Sequence, residues 1–544
     1  MPVFFYDFLP KTIELDIDSF LIGFKNGREI MKTTIKVNGF IFVALTTLLF
    51  ALEGRGDVRL PSIFSENMVL QQGMSVPVWG WADENEYVTV TFQGQSVSTK
   101  AKNGKWMVRL KNLKATSQPQ VFTVDGKNRI RYTNVVVGEV WVCSGQSNME
   151  LPLSRAYDPT NDIANSYNPM IRLFTVPKTK SDKPLDDVKS EWVLCKPETV
   201  ASFSAVAYYF GRDLQKALKV PVGLIHTSWG GSPAEVWMSQ DVLESNPEYK
   251  KDILEPAKPA MERYQQALSE YRKRVEEARA KGQRVTNQPP RMPWMPSELY
   301  NGMIAPILPY AVKGAIWYQG ESNAGRAYQY RSLFVDLIKN WREKWGQKEF
   351  YFFAVQLAPY IPGNRPKPDQ PGESDWAELR EAQMYAAKKL PGVGVAVITD
   401  YGEERDIHPK KKQPVGERLA LLARGIAYKE KGLVYSGPIY KSHKIKGNEI
   451  EISFDHVGSG LVAKDGDKLK GFAICGEDKK WVWADARINE TKDKVIVSSP
   501  EVKKPIAVRY GWADYPEGNL YNKEGLPASP FRTDNFPMIT MPKK

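Results

Sequence analysis

The sequence predicts an α/β protein whose body is a mostly parallel sheet, flanked before and after in the chain by two β-sandwich-like regions. Over residues 135–431, apolar runs alternate with helical patterns, an order that forces crossover connections and a parallel sheet. Over 57–134 and 432–544, short alternating runs separated by Gly, Asn and Asp turns take over. The chain has 544 residues, 42% hydrophobic and 25% charged, so it can bury roughly two to four ordinary cores without staples.

Residues 1–56 read as an upstream extension and a targeting segment. From Met31 the chain runs MKTTIKVNGFIFVALTTLLFALEGRG, with Lys32 and Lys36 ahead of an apolar stretch from Gly39 to Leu52. That is the pattern of a secretory signal peptide, too short for a membrane span, which places the start at Met31 and the product in the periplasm or outside the cell. Ala51-Leu52-Glu53 lacks the small-x-small cleavage pattern, so a retained signal anchor is the alternative.

Residues 57–134 carry SVPVWGWA, YVTVTFQG, KWMVRL and QVFTV, the texture of a small sandwich with no cluster of reactive side chains. The texture changes at Val135. Five apolar runs follow, VVVGEVWVC, VPVGLIHTS, VKGAIWY, FYFFAVQL and VGVAVIT, with helices expected over 205–218, 330–345, 376–390 and 415–428. An insertion at about 248–290 is highly charged with few apolar positions. It predicts a long exposed helix interrupted near Pro256 and Pro259, either an arm or lid or a solvated surface helix. After 432, NEIEISF, LKGFAICG, KKWVWADARI, KVIVSS and PIAVRYGW restore the β texture, and the last forty residues are turn-rich and expected to pack back on the main body.

The formal charge of +12 has no basic stripe behind it, so nucleic acid is not an expected partner. The densest run, Lys410, Lys411 and Lys412, reads as a solvated loop, with attraction of an anionic substrate as the alternative. Cys143, Cys195 and Cys475 lack metal-ligand spacing, and no metal or other cofactor is implied; Cys143 reads as a core residue. The 15 Trp and 25 Tyr suit stacking on sugar rings as well as β-sandwich cores.

Chemistry gathers where the strands end. The first runs into CSGQSNM, the second into Ser228, Gly230 and Gly231, the third into Gln319, Glu321 and Asn323, and the fifth through Asp400 to Asp406 and His408. Open α/β sheets bind ligands at this edge. A hydroxyl, close-approach backbone donors, amides, a carboxylate and an imidazole are the parts of acyl transfer: Ser147 attacks a carbonyl, His408 takes its proton, and a carboxylate fixes the imidazole. Of the remaining histidines, His226 lies within its strand as a core residue, and His443 and His456 fall in the last β region.

These residues carry a resemblance. GQSN, SWGGSP, QGESN and DIHP occur in the order of the Ser, Gly, Asn and His blocks of SGNH hydrolases. CSGQSNMELPL, HTSWGGSPAEVW, WYQGESNA, DIHPKKKQPVGERLAL and RLPSIFSENMVLQQ resemble sialate O-acetylesterases over roughly residues 58–536. The resemblance implies an SGNH-hydrolase-like three-layer body and a metal-free serine esterase that removes acetyl groups from sugars, most simply O-acetylated sialic acids. It also implies Ser147 as nucleophile and His408 as base. Asp406 lies two residues before the histidine, whereas many SGNH enzymes have the carboxylate three before, where this chain has Arg405. Glu321, in a QGE block shared with acetylxylan esterases, is the competing partner for His408. The implied oxyanion donors are the backbone N–H groups of Ser147 and Gly231, with a side-chain amide from Gln319 or Asn323. An acetylxylan esterase or other sugar deacetylase is the alternative enzyme, and an inert glycan-binding protein the alternative class.

Overall fold

The structure, a computed structural model, describes residues 57–542 apart from 368 and 467. The expected signal segment, the start at Met31 and the upstream extension all lie outside the described residues.

One strand organises the fold. β1 (Arg129–Gly145) is 17 residues long; its first half alternates between partly buried and exposed, and every residue from Val135 onward is buried. The first half pairs antiparallel with Thr116–Asp125 in the leading β region, and Val136–Gly138 pairs in parallel with Val69–Gln71. The second half pairs in parallel with two strands of the α/β sheet. The change of texture at Val135 is therefore not a linker: it lies inside a strand, where a sheet with one wet face becomes a sheet covered on both.

Six further strands complete that sheet: β2 (Asn168–Thr175), β3 (Trp192–Cys195), β4 (Val222–Ser228), β5 (Gly314–Tyr318), β6 (Tyr351–Val355) and β7 (Val393–Ala396). Their order is β7-β6-β5-β1-β4-β2-β3, and each neighbouring pair is parallel except β2 with β3. The apolar runs read from the sequence are β1 and β4–β7; β2 and the edge strand β3 were not foreseen. The helices that matter to the site and its support are α1 (Ser147–Glu150), α2 (Ala205–Leu218), α3 (Glu255–Ala280), α4 (Ala327–Trp345), α5 (Asp375–Lys389) and α6 (Gln413–Leu422). Alternate residues of β5 enter different cores. Ala315 and Trp317 join a cluster with Trp341 and Phe334 of α4 and Leu379 of α5, whereas Ile316 and Tyr318 join one with Phe210 of α2 and Leu419 of α6. Helices thus cover both faces.

α3 runs without interruption and buries no residue. Pro256 falls in its first turn and Pro259 lies inside it, so neither proline ends the helix, and a π-helical stretch, Lys250–Leu254, leads directly into it. The C-terminal region forms two antiparallel four-stranded sheets whose buried residues, Ile450, Val497, Ile474 and Val508 among them, share one core. Its tail returns to the α/β body: Arg532 pairs with Glu381, and Glu378 accepts from the backbone N–H groups of Ile539 and Thr540. All three cysteines are free and buried.

Candidate active site

The carboxyl ends of β1, β4 and β5 are tied together before any side chain is considered. Gln146 N–H donates to the Tyr318 carbonyl (2.9 Å), and Trp229 N–H to the Gly145 carbonyl (3.1 Å). Gly145 has φ +140°, and a Cβ there would lie 2.2 Å from the Tyr318 carbonyl oxygen, so only glycine lets the strand turn this closely against β5. The chain then enters α1 with Ser147 as its first residue.

His408 meets that serine. Its Nε2 lies 2.8 Å from Ser147 Oγ, although 261 positions separate the two. Asp406 Oδ1 accepts from the His408 backbone N–H at 2.9 Å and stands 3.6 Å from its Nδ1, close enough for charge interaction but beyond hydrogen-bond length. Burial lowers the His408 pKa from 6.5, opposed by Asp406, then assisted by Lys412 and Arg155. Glu321 does not partner His408 here. It is half-buried, its Oε1 accepts from Asn148 Nδ2 at 2.6 Å, and desolvation raises its pKa.

The glycine turn after β4 lies over the serine. Gly230 N–H donates to Glu150 Oε2 (2.5 Å), and a Cβ on Gly230 would be 3.3 Å from Ser147 Cβ. Gly231 has φ +77° and faces open space. Among the described residues, neither Ser147 N–H nor Gly231 N–H is committed to an acceptor. Gln319 differs from the expectation. Its Nε2 donates to Ser232 O (3.3 Å) and Asn323 Oδ1 (2.7 Å), so both amide hydrogens are used and the residue is scaffold. Asn323 accepts from Ala234 N–H and Gln319 and gives one Nδ2 hydrogen to Glu235 Oε2 (3.0 Å), keeping one in hand.

Two groups beside the serine were missed. Lys412, expected in a solvated loop, is 1% exposed; only Lys410 and Lys411 of that run face solvent. Its Nζ donates to Asn148 Oδ1 at 2.5 Å, and burial pushes its pKa down to about 7. The Asn148 amide then donates both to Glu321 and to the Ile407 carbonyl (2.9 Å), which binds the segment carrying His408 to the turn carrying Ser147. No local pattern marks these partners, because each lies more than 170 positions from Asn148 in sequence. Asp400 serves structure: both its oxygens engage Arg418 at 2.6 Å. His226 is buried within β4 against Ser228 Oγ, with its pKa lowered by burial to about 4. Among the described residues, no group of three or more His, Cys, Asp or Glu side chains is arranged to hold a metal.

Known proteins are similar to this chain across most of its length. A mouse sialate O-acetylesterase is 30% identical over 87% of this chain and 94% of its own length. The chain belongs to the sialate O-acetylesterase family. A family model described as carbohydrate esterase, sialic acid-specific acetylesterase, matches residues 289–422, which include β5, Asn323 and His408. The human sialate O-acetylesterase is 28% identical over 90% of this chain and 95% of its own. A carbohydrate acetylesterase from Xanthomonas citri has been solved; it is 38% identical, superposes with a TM-score of 0.76, and covers 88% of this chain and all of its own. The sialate O-acetylesterase family member described here is accordingly an esterase of carbohydrate O-acetyl groups, and its candidate site is the strand-end cluster around Ser147.

Proposed function

We propose that this chain hydrolyses O-acetyl esters of sialic acids through an acetyl-serine intermediate. The observation that carries the proposal is the 2.8 Å approach of His408 Nε2 to Ser147 Oγ beside a glycine turn with uncommitted backbone donors. Ser147 Oγ attacks the acetyl carbonyl as its proton passes to His408 Nε2. The oxyanion takes hydrogen bonds from the backbone N–H groups of Ser147 and Gly231 and from the remaining Asn323 Nδ2 hydrogen. Collapse breaks the ester bond, and His408 returns the proton to the leaving sugar oxygen. Water, deprotonated by His408, then attacks acetyl-Ser147, releasing acetate and restoring the serine. Asp406 stabilises the imidazolium by its charge; its 3.6 Å separation from Nδ1 is the kind of long contact that tightens when substrate is bound.

The covering of both sheet faces by helices supports an SGNH-type three-layer body within residues 135–431, joined to a leading sandwich at 57–134 and a β-rich domain at 432–544. The Met31 segment supports export to the periplasm or beyond. Among the described residues, no helix is long and apolar enough to cross a membrane.

The Xanthomonas citri relative is described only as a carbohydrate acetylesterase, which favours keeping a broader sugar deacetylase as the second reading. Acetate release from O-acetylated sialic acids is compared with release from acetylated xylan, using wild type and Ser147→Ala. Faster turnover of sialic acid esters, abolished by the substitution, is expected. Faster turnover of xylan overturns the substrate assignment, and a fully active Ser147→Ala overturns the mechanism.

A further inference from the structure

A cavity of about 480 Å³ opens where the connection from β6 to α5 meets the C-terminal β-sheet, formed there by Phe472–Cys475, Trp481–Trp483 and Ala507–Tyr510. Its volume lies within the range of small-molecule sites, about 300–1,000 Å³. Aromatic rings from two separate stretches line it: Trp481 and Trp483 from one strand, Trp512 and Tyr515 from the turn after another. Trp483 is 48% exposed, unusual for an indole in a strand, and its Nε1 donates to the Asp369 carbonyl at 2.8 Å, which fixes the ring's orientation. Trp512 is 7% exposed, and its Nε1 is buried with no hydrogen-bond partner among the described residues.

Among the described residues, three of the four cations around the rings are matched in ion pairs, and the fourth, Lys470, stands at the rim without one. Arg365 bonds to Asp514 at 3.3 Å, Lys367 to Glu517 at 2.5 Å, and Arg509 to Glu373 at 2.8 Å while stacking 4.3 Å from the Trp481 ring centroid. Paired in this way, these three cations offer little to a phosphate and the carboxylates little to a metal. An aliphatic ligand would bury these ion pairs without reward. A ligand that presents flat C–H faces to indoles and a ring of hydroxyls to mixed donors and acceptors satisfies both kinds of wall. Pyranose rings have that form.

We propose that this cavity is an accessory glycan-binding site that takes unmodified pyranose rings of the chain bearing the ester. Its rim is tied to the segment carrying His408: Ile361 N–H donates to the Glu404 carbonyl at 2.9 Å, and Arg405 Nη1 to the Arg365 carbonyl at 2.9 Å. A glycan held there lies along the same side of the protein as that segment. The proposal rests on the sugar-ester reading for its choice of ligand, but its test involves no turnover.

The test uses the whole chain carrying Ser147→Ala, titrated calorimetrically with lactose and with sialyllactose, neither acetylated. Trp483→Ala and Tyr515→Ala are then added singly, with thermal melts to verify folding. Binding of either sugar, weakened roughly five- to tenfold by Trp483→Ala and by Tyr515→Ala, is expected for the loss of one stacked ring. Absence of binding by both sugars, or equal affinity in folded single variants, overturns the inference. Esterase activity surviving in Ser147→Ala would instead remove the proposed mechanism and leave this binding result intact.

Discussion

Lys412→Met should lower kcat on p-nitrophenyl acetate by about 10- to 100-fold, although Lys412 touches no reacting atom. Lys412 donates to Asn148 Oδ1, and that bond fixes which way the amide faces, so that its nitrogen donates to Glu321 and Ile407. With Oδ1 unpaired, the amide is free to rotate and the hold on Ile407 is lost. The residue released is next to His408, whose ring must stay 2.8 Å from Ser147 Oγ. A displacement of about 1 Å costs roughly 100-fold, or about 3 kcal/mol of barrier. Stability is a poor readout here because two effects oppose. The unpaired acceptor costs about 1–3 kcal/mol, whereas Met removes a charge whose pKa has fallen from 10.5 to about 7, a drop equivalent to about 5 kcal/mol. Stopped-flow or steady-state kcat, with Lys411→Met as the exposed neighbour, is the assay. A Lys412→Met kcat within twofold of wild type would refute the positioning argument.

Other consequences follow from the same geometry. Because burial lowers the His408 pKa, the acid limb of kcat/KM should be centred below pH 6.5, with activity present above the lowered pKa and lost as pH falls through it; a limb centred above 6.5 contradicts the reading. Lys412 binds fewer protons folded than unfolded between pH 7 and 10.5, so its contribution to stability should rise with pH across that window, and denaturant titrations should show this rise reduced in Lys412→Met. Gly145→Ala places a Cβ 2.2 Å from the Tyr318 carbonyl at a φ that costs about 1–3 kcal/mol for other residues; a lowered Tm and loss of turnover are expected, and a wild-type melt would argue against a close approach of β1 to β5. Replacing α3 by a short linker should leave Tm nearly unchanged, since the helix buries no residue.

The strands at the centre of the sheet were legible because burial on both faces demands apolar runs, and VVVGEVWVC, VKGAIWY and FYFFAVQL could hardly be anything else. The helix Ala205–Leu218 was legible to the residue, because Ser204 caps it and its apolar face repeats with the helical period. The strand Asn168–Thr175 was not, since it carries Pro169 and a buried Arg172 whose Nη2 is satisfied by Asn134 in β1. Ser147 and His408 could be singled out because few residue types do acyl chemistry and the chain has only four histidines.

What the sequence determined by itself is the set of strand-end blocks, their order, and hence the family and reaction class, because motif chemistry and apolar periodicity are local properties. What only the tertiary structure decided is how the polar groups divide the work: Gln319 as scaffold, Glu321 bound to Asn148, and Lys412 buried beside the serine. Those assignments depend on which hydrogens and lone pairs are already spent. That accounting closes only when segments hundreds of positions apart are brought within 3 Å.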